Sequence, residues 1–203
     1  MIRIESAEDP FRSPRVAYQA VTALGRADAM GLLPADEPIG TLDLSSFRTA
    51  MRHIHRAGIA RNIQLGLAEA SGPRLERTLE HLNLALEGSP VPEFEWNRLT
   101  DVLGLELLSR LLGISAISVR RYRANARTTP DEVAERLHFL SLVVGDLAGA
   151  YNEIGTRQWF ERKRAQLDGR APLDCLKGRW KPTQAGPRRV QDLARALVAS
   201  PAT

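Results

Sequence analysis

The sequence predicts an all-α protein: a helical N-terminal extension, a helix-turn-helix bundle and a small C-terminal helical domain. Three observations carry this prediction. Apolar residues recur at helical spacing through most of the 203 residues, and alternating runs typical of strands are nearly absent. In addition, residues 105–124, LELLSRLLGISAISVRRYRA, have the spacing of a helix-turn-helix unit.

Three helices are predicted in the extension. The first covers residues 16–30, between two pairs of prolines. A longer helix is expected from residue 44 or 45 to about residue 70, where Ser-Gly-Pro would end it, and a third spans residues 73–86 with a regular leucine stripe. The second and third helices together predict a helical hairpin with one face in a core.

A break rich in proline and glycine at residues 88–92 separates this hairpin from the rest of the chain. Beyond the helix-turn-helix, a long helix is expected from residue 130 to about residue 151, with Thr129 as N-cap and Pro130 as first helical residue. A last amphipathic helix is predicted at residues 188–199. We therefore expect an extension at 1–90, a helix-turn-helix domain at 91–152 and a C-terminal domain at 153–203.

The apolar positions of the helix-turn-helix segment account for its packing. With Gly113 in the turn, the positions that must be apolar hold Leu108, Leu112, Ile114, Val119 and Tyr122. Ser109 supplies a small residue where the two helices cross, and Ser115 is expected to cap the second helix. The unit fits without an insertion.

The residues of the second helix that this packing leaves over are candidates for contact with double-stranded DNA. They are Ser115, Ala116, Ile117, Arg120, Arg121 and Arg123. Arginine can bind guanine edges or phosphates, and Ala116 or Ile117 can meet a thymine methyl group. The alternative is a helical hairpin that is basic and never meets DNA. RNA is a weaker alternative because the segment lacks aromatic pairs for stacking on bases.

Charge is distributed unevenly along the chain. Residues 1–95 carry 10 Arg and 13 Asp and Glu, a net charge of −3, whereas residues 96–203 carry 18 Lys and Arg and 11 Asp and Glu, a net charge of +7. Residues 107–130 contain five arginines and no acidic residue, although a solvated helix usually mixes its signs. The basic half is therefore the half that contains the helix-turn-helix.

Other features predict a soluble cytoplasmic protein that is not an enzyme. Cys175 is alone, the N-terminus lacks the pattern of a secretion signal, and no apolar run approaches a membrane span. The four histidines have no metal-binding spacing and are expected at surface or hairpin positions. We expect no catalytic residues, no metal and no cofactor, since no nucleophile or phosphate-loop motif is present.

Residues 96–199 resemble antitoxins of the Xre/MbcA/ParS type. In that family a tryptophan and an apolar residue precede a leucine, a glycine-arginine pair and a proline, and a later helix begins G-x-x-x-V. The matching residues here are Trp159, Leu167, Gly169, Arg170, Pro172, Gly186 and Val190. Two departures are a charged run after Phe160, where the family often has proline, and residues 1–95, which the resemblance does not cover.

The resemblance implies an oligomeric repressor of its own operon whose C-terminal part occludes a RES-domain toxin that degrades NAD. We expect the partner contact on Trp159, Phe160 and Arg170, and the alternative for Trp159 is a place in the core. The implied partners are DNA, a toxin encoded by an adjacent gene and a second copy of the chain. The alternative is a helix-turn-helix regulator or interaction protein that has no toxin partner. Independently of the resemblance, residues 167–173 indicate a turn at Asp168-Gly169 and a helix that begins at Pro172.

Overall fold

The computed structural model describes residues 4–35, 39–65 and 72–199, and most of these residues are helical. The helices are α1 Pro14–Ala29, α2 Leu44–Arg56, α3 Gly72–Glu87, α4 Pro92–Leu103, α5 Leu105–Leu112, α6 Ala116–Arg123, α7 Asp131–Leu147, α8 Glu153–Glu161, α9 Pro172–Cys175 and α10 Ala185–Ala199, with a 3₁₀ turn at Ala165–Leu167. Two short parallel strands, β1 Ser6–Ala7 and β2 Thr41–Leu42, pair with each other. The predicted all-α class is confirmed. No helix in the described ranges has the length and apolar character needed to cross a membrane.

The predicted helix from residue 44 to about residue 70 is wrong in its extent. α2 ends at Arg56, and the chain then turns through Gly58 and Ala60, both of which have positive φ. Ile59 lies five residues after Ile54, which on a continuous helix would rotate it by about 140° away from the core face. By leaving the helix, the chain buries both isoleucines. The predicted end, residues 66–70, lies outside the described residues.

The start of α7 also differs from the prediction. Pro130 is the N-cap, with extended backbone, and the helix begins at Asp131. Thr129 does not cap the helix; its Oγ1 instead accepts a hydrogen bond from Trp96 Nε1 at 2.9 Å. A buried indole N–H requires an acceptor, and this tertiary requirement takes the threonine away from the helix end.

The core consists of two hydrophobic clusters. The N-terminal cluster is formed by α1, α2, α3 and the segments between them, and the second cluster by α4 to α10. The predicted pairing of the second and third helices is not the main one, because α3 packs chiefly along α1. α1 in turn packs along α7, so the extension is joined to the bundle over a helix length.

Two glycines allow this close contact between α1 and α7. A Cβ atom on Gly25 would lie 2.6 Å from the carbonyl oxygen of Gly145, and one on Gly145 would lie 2.6 Å from Arg26 Cα. Both distances are far below a van der Waals contact, and the obstructing atoms belong to backbone. The helix axes can therefore approach this closely only when neither position carries a side chain.

A network of four charged groups lies beside the glycines: Arg26 and Asp146 are buried, whereas Glu87 and Arg195 are about one third exposed. Arg26 Nε donates to Asp146 Oδ1 at 2.8 Å, and Arg26 Nη1 donates to Glu87 Oε1 at 2.8 Å. Arg195 Nη2 binds the same Glu87 oxygen at 2.6 Å, and its Nε lies 3.5 Å from Asp146 Oδ2. Burial raises the pKa of Asp146, while the two guanidinium groups oppose that shift. The network links α1, α3, α7 and α10.

A second buried pair joins α4 to α7. His138 Nδ1 lies 2.6 Å from Glu95 Oε1, and His138 Nε2 lies 3.0 Å from the carbonyl oxygen of Glu87. The expectation that His138 is a surface or hairpin residue is wrong, since only 6% of it is exposed. Burial raises the pKa of Glu95. Burial alone would lower the pKa of His138, but the hydrogen bond and charge of Glu95 outweigh it and the pKa is raised.

The contact between α1 and α7 predicts a cost for Gly145→Ala. Alanine favours a helix by about 1 kcal/mol, but overpacking against backbone costs about 1 to 3 kcal/mol and should dominate because neither helix can yield locally. We expect a net loss in the free energy of unfolding, measured by urea denaturation. Gly149→Ala is the control, since its Cβ would meet only Val21 Cγ1, at 4.0 Å. Equal stability of the two variants would contradict the proposed close contact.

The buried pair predicts that stability falls as pH rises. Raised folded-state pKa values mean that the folded protein holds more protons than the unfolded chain, so the free energy of unfolding decreases with pH. The stabilising contribution of Glu95 is complete below its ordinary pKa of 4.5 and is lost as pH rises through its raised pKa. The stabilising contribution of His138 is complete below its ordinary pKa of 6.5 and is lost as pH rises through its raised pKa. Denaturation between about pH 5 and 8 should show a steeper decline for wild type than for Glu95→Gln/His138→Gln. Parallel curves would refute this.

Candidate nucleic-acid interface

The helix-turn-helix forms where the sequence predicts it, around Gly113. This residue ends α5 with φ of 67°, a left-handed conformation that glycine adopts without strain. The amide of Ile114 donates to the carbonyl of Ser109 at 3.1 Å and closes the turn. Ser115 then caps α6, as predicted, by accepting a hydrogen bond from the amide of Ser118 at 3.1 Å.

The packing face of the unit is also the predicted one. Leu108, Leu112 and Val119 are fully buried, Tyr122 is 5% exposed, and Ile114 is partly buried against the same cluster. α4 supports α6 from behind: the Trp96 and Tyr122 rings stack with centroids 5.4 Å apart. These contacts determine which side of α6 faces solvent.

Three predicted DNA-contacting residues stand together on that solvent side. Ile117, Arg120 and Arg121 are spaced i, i+3 and i+4, so they share one helical face opposite Val119 and Tyr122. Ile117 is 59% exposed, and both arginines are exposed. Neither guanidinium group has an ion-pair partner among the described residues. Ser115, exposed, and Ala116, half-buried, lie at the N-terminal end of this face.

Arg123 is positioned differently from its neighbours. Its Nε donates to Asn97 Oδ1 at 3.0 Å and its Nη2 to Asp101 Oδ1 at 3.1 Å. Both partners belong to α4, so this side chain fastens the C-terminal end of α6 to the helix behind it. Its side chain remains 42% exposed. Arg110 is likewise paired, with Glu161.

The predicted aromatic partner surface is wrong for two of its three residues. Trp159 is 1% exposed and Phe160 is fully buried, with their rings edge to face at 5.2 Å. They pack into the same cluster as α5 and α7, because the short helix α8 lies against α4 and must bury its apolar face there. The guanidinium of Arg164 covers the outer side of Trp159, 5.6 Å from the ring centre.

Arg170 remains accessible next to a rigid turn. Asp168 and Gly169 both have positive φ, and a short helix begins at Pro172, as predicted. Arg189 holds Asp168 through bonds of 2.6 and 3.1 Å, and these hydrogen bonds lower the pKa of that carboxyl. The Arg170 side chain is 51% exposed and lies 3.7 Å from Asp168.

The structure also brings a segment to the helix-turn-helix that sequence reasoning missed. The Trp180 loop, residues 177–181, has the sequence Lys-Gly-Arg-Trp-Lys and joins α9 to α10. Trp180 Nε1 donates to the carbonyl of Leu111 at 2.7 Å, and its ring meets Phe139 edge to face at 5.1 Å. The available sequence signal was a tryptophan between basic residues, but the sequence does not show that its hydrogen-bond partner, Leu111, lies 69 residues away.

No grouping of metal ligands appears in the described ranges: three His, Cys, Asp or Glu side chains do not come together there. Cys175 is unpaired and half-buried. The one close His–Glu pair described above, His138 with Glu95, is enclosed in the core between α4 and α7. The accessible chemistry of the site is thus that of arginine side chains, hydroxyl groups and small apolar groups on α6.

Comparison of the chain with known protein families, with characterised proteins and with solved structures returned no match.

Proposed function

We propose that this protein is a sequence-specific DNA-binding repressor whose helix α6 enters the major groove. The observation that carries the proposal is the division of α6 into two faces. One face is consumed by packing, and the other holds Ile117, Arg120 and Arg121, exposed and without ion pairs in the described part of the chain. Unpaired guanidinium groups on a rigid helix are suited to guanine edges and phosphates.

We propose that the protein binds DNA as a homodimer or higher homo-oligomer. One helix-turn-helix contacts only a few base pairs, and two-fold symmetry doubles the contact across paired half-sites. The body of α7 is an unsuitable dimer surface, because every residue from 136 to 147 is buried within the chain. Within the extension, α3 is the better candidate, because its Leu84 is 63% exposed.

The DNA proposal predicts the effect of Arg120→Ala/Arg121→Ala. On a duplex selected by the wild-type protein from a random library, each arginine that reads a base should contribute about 1 to 3 kcal/mol, so affinity should fall at least tenfold. Fluorescence anisotropy measures this loss, and circular dichroism checks the fold. Arg52→Ala/Arg56→Ala removes the same charge from exposed positions on α2, away from Leu84, and should bind normally. Full retention of affinity by the α6 variant would refute the proposal.

We further propose that the repressor is the antitoxin of a toxin–antitoxin pair and neutralises a RES-domain-like toxin through its C-terminal domain. The supporting observation is the rigid turn at Asp168-Gly169, which holds Arg170 with half of its side chain in solvent. Exposed arginine is a residue type that frequently dominates protein interfaces. Ile154, 65% exposed on α8, adds an apolar contact on the same domain. The alternative is a regulator with no toxin partner.

The antitoxin proposal predicts that Arg170→Ala weakens rescue in cells that co-express the product of the adjacent gene. A hot-spot arginine is worth about 2 kcal/mol or more, so toxin capture should fall by more than tenfold while DNA binding is unchanged. Truncation after residue 154 is not a suitable test, since it would remove Trp159, Phe160 and Trp180 from the core. Arg56→Ala, at an exposed position on α2, serves as control. Absence of a toxin gene next to this one would leave the stand-alone regulator as the function.

A further inference from the structure

We propose that the Trp180 loop is a second DNA-contacting element, which binds phosphates beside the helix-turn-helix through Lys177 and Arg179. The proposal rests on the DNA-binding function proposed above and extends that interface to a segment outside the helix-turn-helix. Its basis is the position of the loop, the way that position is held, and the charge the loop exposes.

The loop lies directly against the turn of the helix-turn-helix. A Cβ atom on Gly113 would overlap the carbonyl oxygen of Gly178, so the two backbones are in contact. Gly113 is followed, two residues later, by the N-cap of α6. The second helix of such a unit leads into the major groove with its N-terminal residues, and phosphates line both rims of that groove. The loop is thus placed near a groove rim when α6 is docked.

Three contacts hold the loop in this position. The carbonyl of Leu111, in the last turn of α5, has no partner within its own helix, and Trp180 Nε1 supplies the missing donor. The ring of Trp180 is 5% exposed and fills the space next to Phe139. Arg136 Nη1, from α7, donates to the carbonyl of Gly178 at 3.3 Å. A loop held on both sides of Arg179 loses little entropy when it binds a ligand.

The exposed part of the loop is cationic and small. Lys177, Gly178, Arg179 and Lys181 are exposed, whereas the aromatic residue is buried. Arg179 and Lys181 have no acidic partner among the described residues. Lys177 pairs with Asp174 at 2.6 Å, but both groups are solvated, so phosphate can displace that partner at little cost. Lysine is depleted at protein interfaces, whereas lysine and arginine are the usual contacts to phosphate, so this loop fits phosphate oxygens better than a protein surface.

The test uses the salt dependence of DNA binding by the full chain. Each phosphate contact adds about 0.9 to the slope of log K against log salt concentration, so Lys177→Ala/Arg179→Ala should lower the slope by about 1.8. Binding to a random-sequence duplex is measured by fluorescence anisotropy over a salt series. Arg52→Ala/Arg56→Ala removes the same number of charges from α2 and should leave the slope unchanged.

The outcomes separate this proposal from the DNA-binding function itself. If wild-type protein binds no duplex at any salt concentration, the proposed function fails and the loop proposal falls with it. If wild type binds, and the α6 variant loses affinity while the loop variant keeps the wild-type slope, only the loop proposal is overturned. An equal decrease for loop and α2 variants would assign the effect to net charge and would also overturn it. Thermal melting verifies that the loop variant is folded.

Discussion

The contact of α1 with α7 at Gly25 and Gly145 is the constraint on which the rest of the structure depends. It brings the extension within reach of the bundle and encloses the buried pair of Arg26 and Asp146, which the partly exposed Glu87 joins at its edge. Breaking such a buried pair by removing one partner costs about 3 to 5 kcal/mol, so the network strongly disfavours any separation of the two helices. The extension is therefore part of the scaffold that positions α7, against which α4, α5 and α10 pack.

The same dependence joins the C-terminal segment to the helix-turn-helix. Trp159, Phe160 and Trp180 lie in one hydrophobic cluster with the residues of α5 and α6, and Trp180 provides the donor for the end of α5. In the proposed function, the surface that binds DNA and the surface that binds a toxin are thus carried by one continuous core. Such a core transmits strain, because close-packed interiors have few voids into which side chains can relax.

Particular residues show how far sequence reasoning reached. The helix-turn-helix was predicted residue by residue, because its turn glycine, its serine cap and its apolar spacing act within about ten residues of one another. Thr129 was misassigned as the N-cap of α7, because its hydroxyl oxygen accepts a hydrogen bond from Trp96, a residue 33 positions away, instead of capping the helix. For Trp159 the sequence left a partner surface and the core both open, because a large aromatic residue is typical of either, and only the tertiary structure decides for the core. The role of Trp180 was missed for a related reason: nothing in its neighbourhood identifies its partner.

What the sequence by itself determined is most of the helices and the buried faces of α3, α5 and α6, and with them the outward face of α6. These follow from local terms, namely spacing at three and four residues, caps and chain-breaking residues, whose energies depend on near neighbours. Only the tertiary structure decided which segments meet. Arg26 finds Asp146 across 120 residues, Glu95 finds His138 across 43 and Trp180 finds Leu111 across 69. Such pairings are stabilised only when desolvation, shape and hydrogen bonding are satisfied together in the packed core, and helical periodicity carries no record of them.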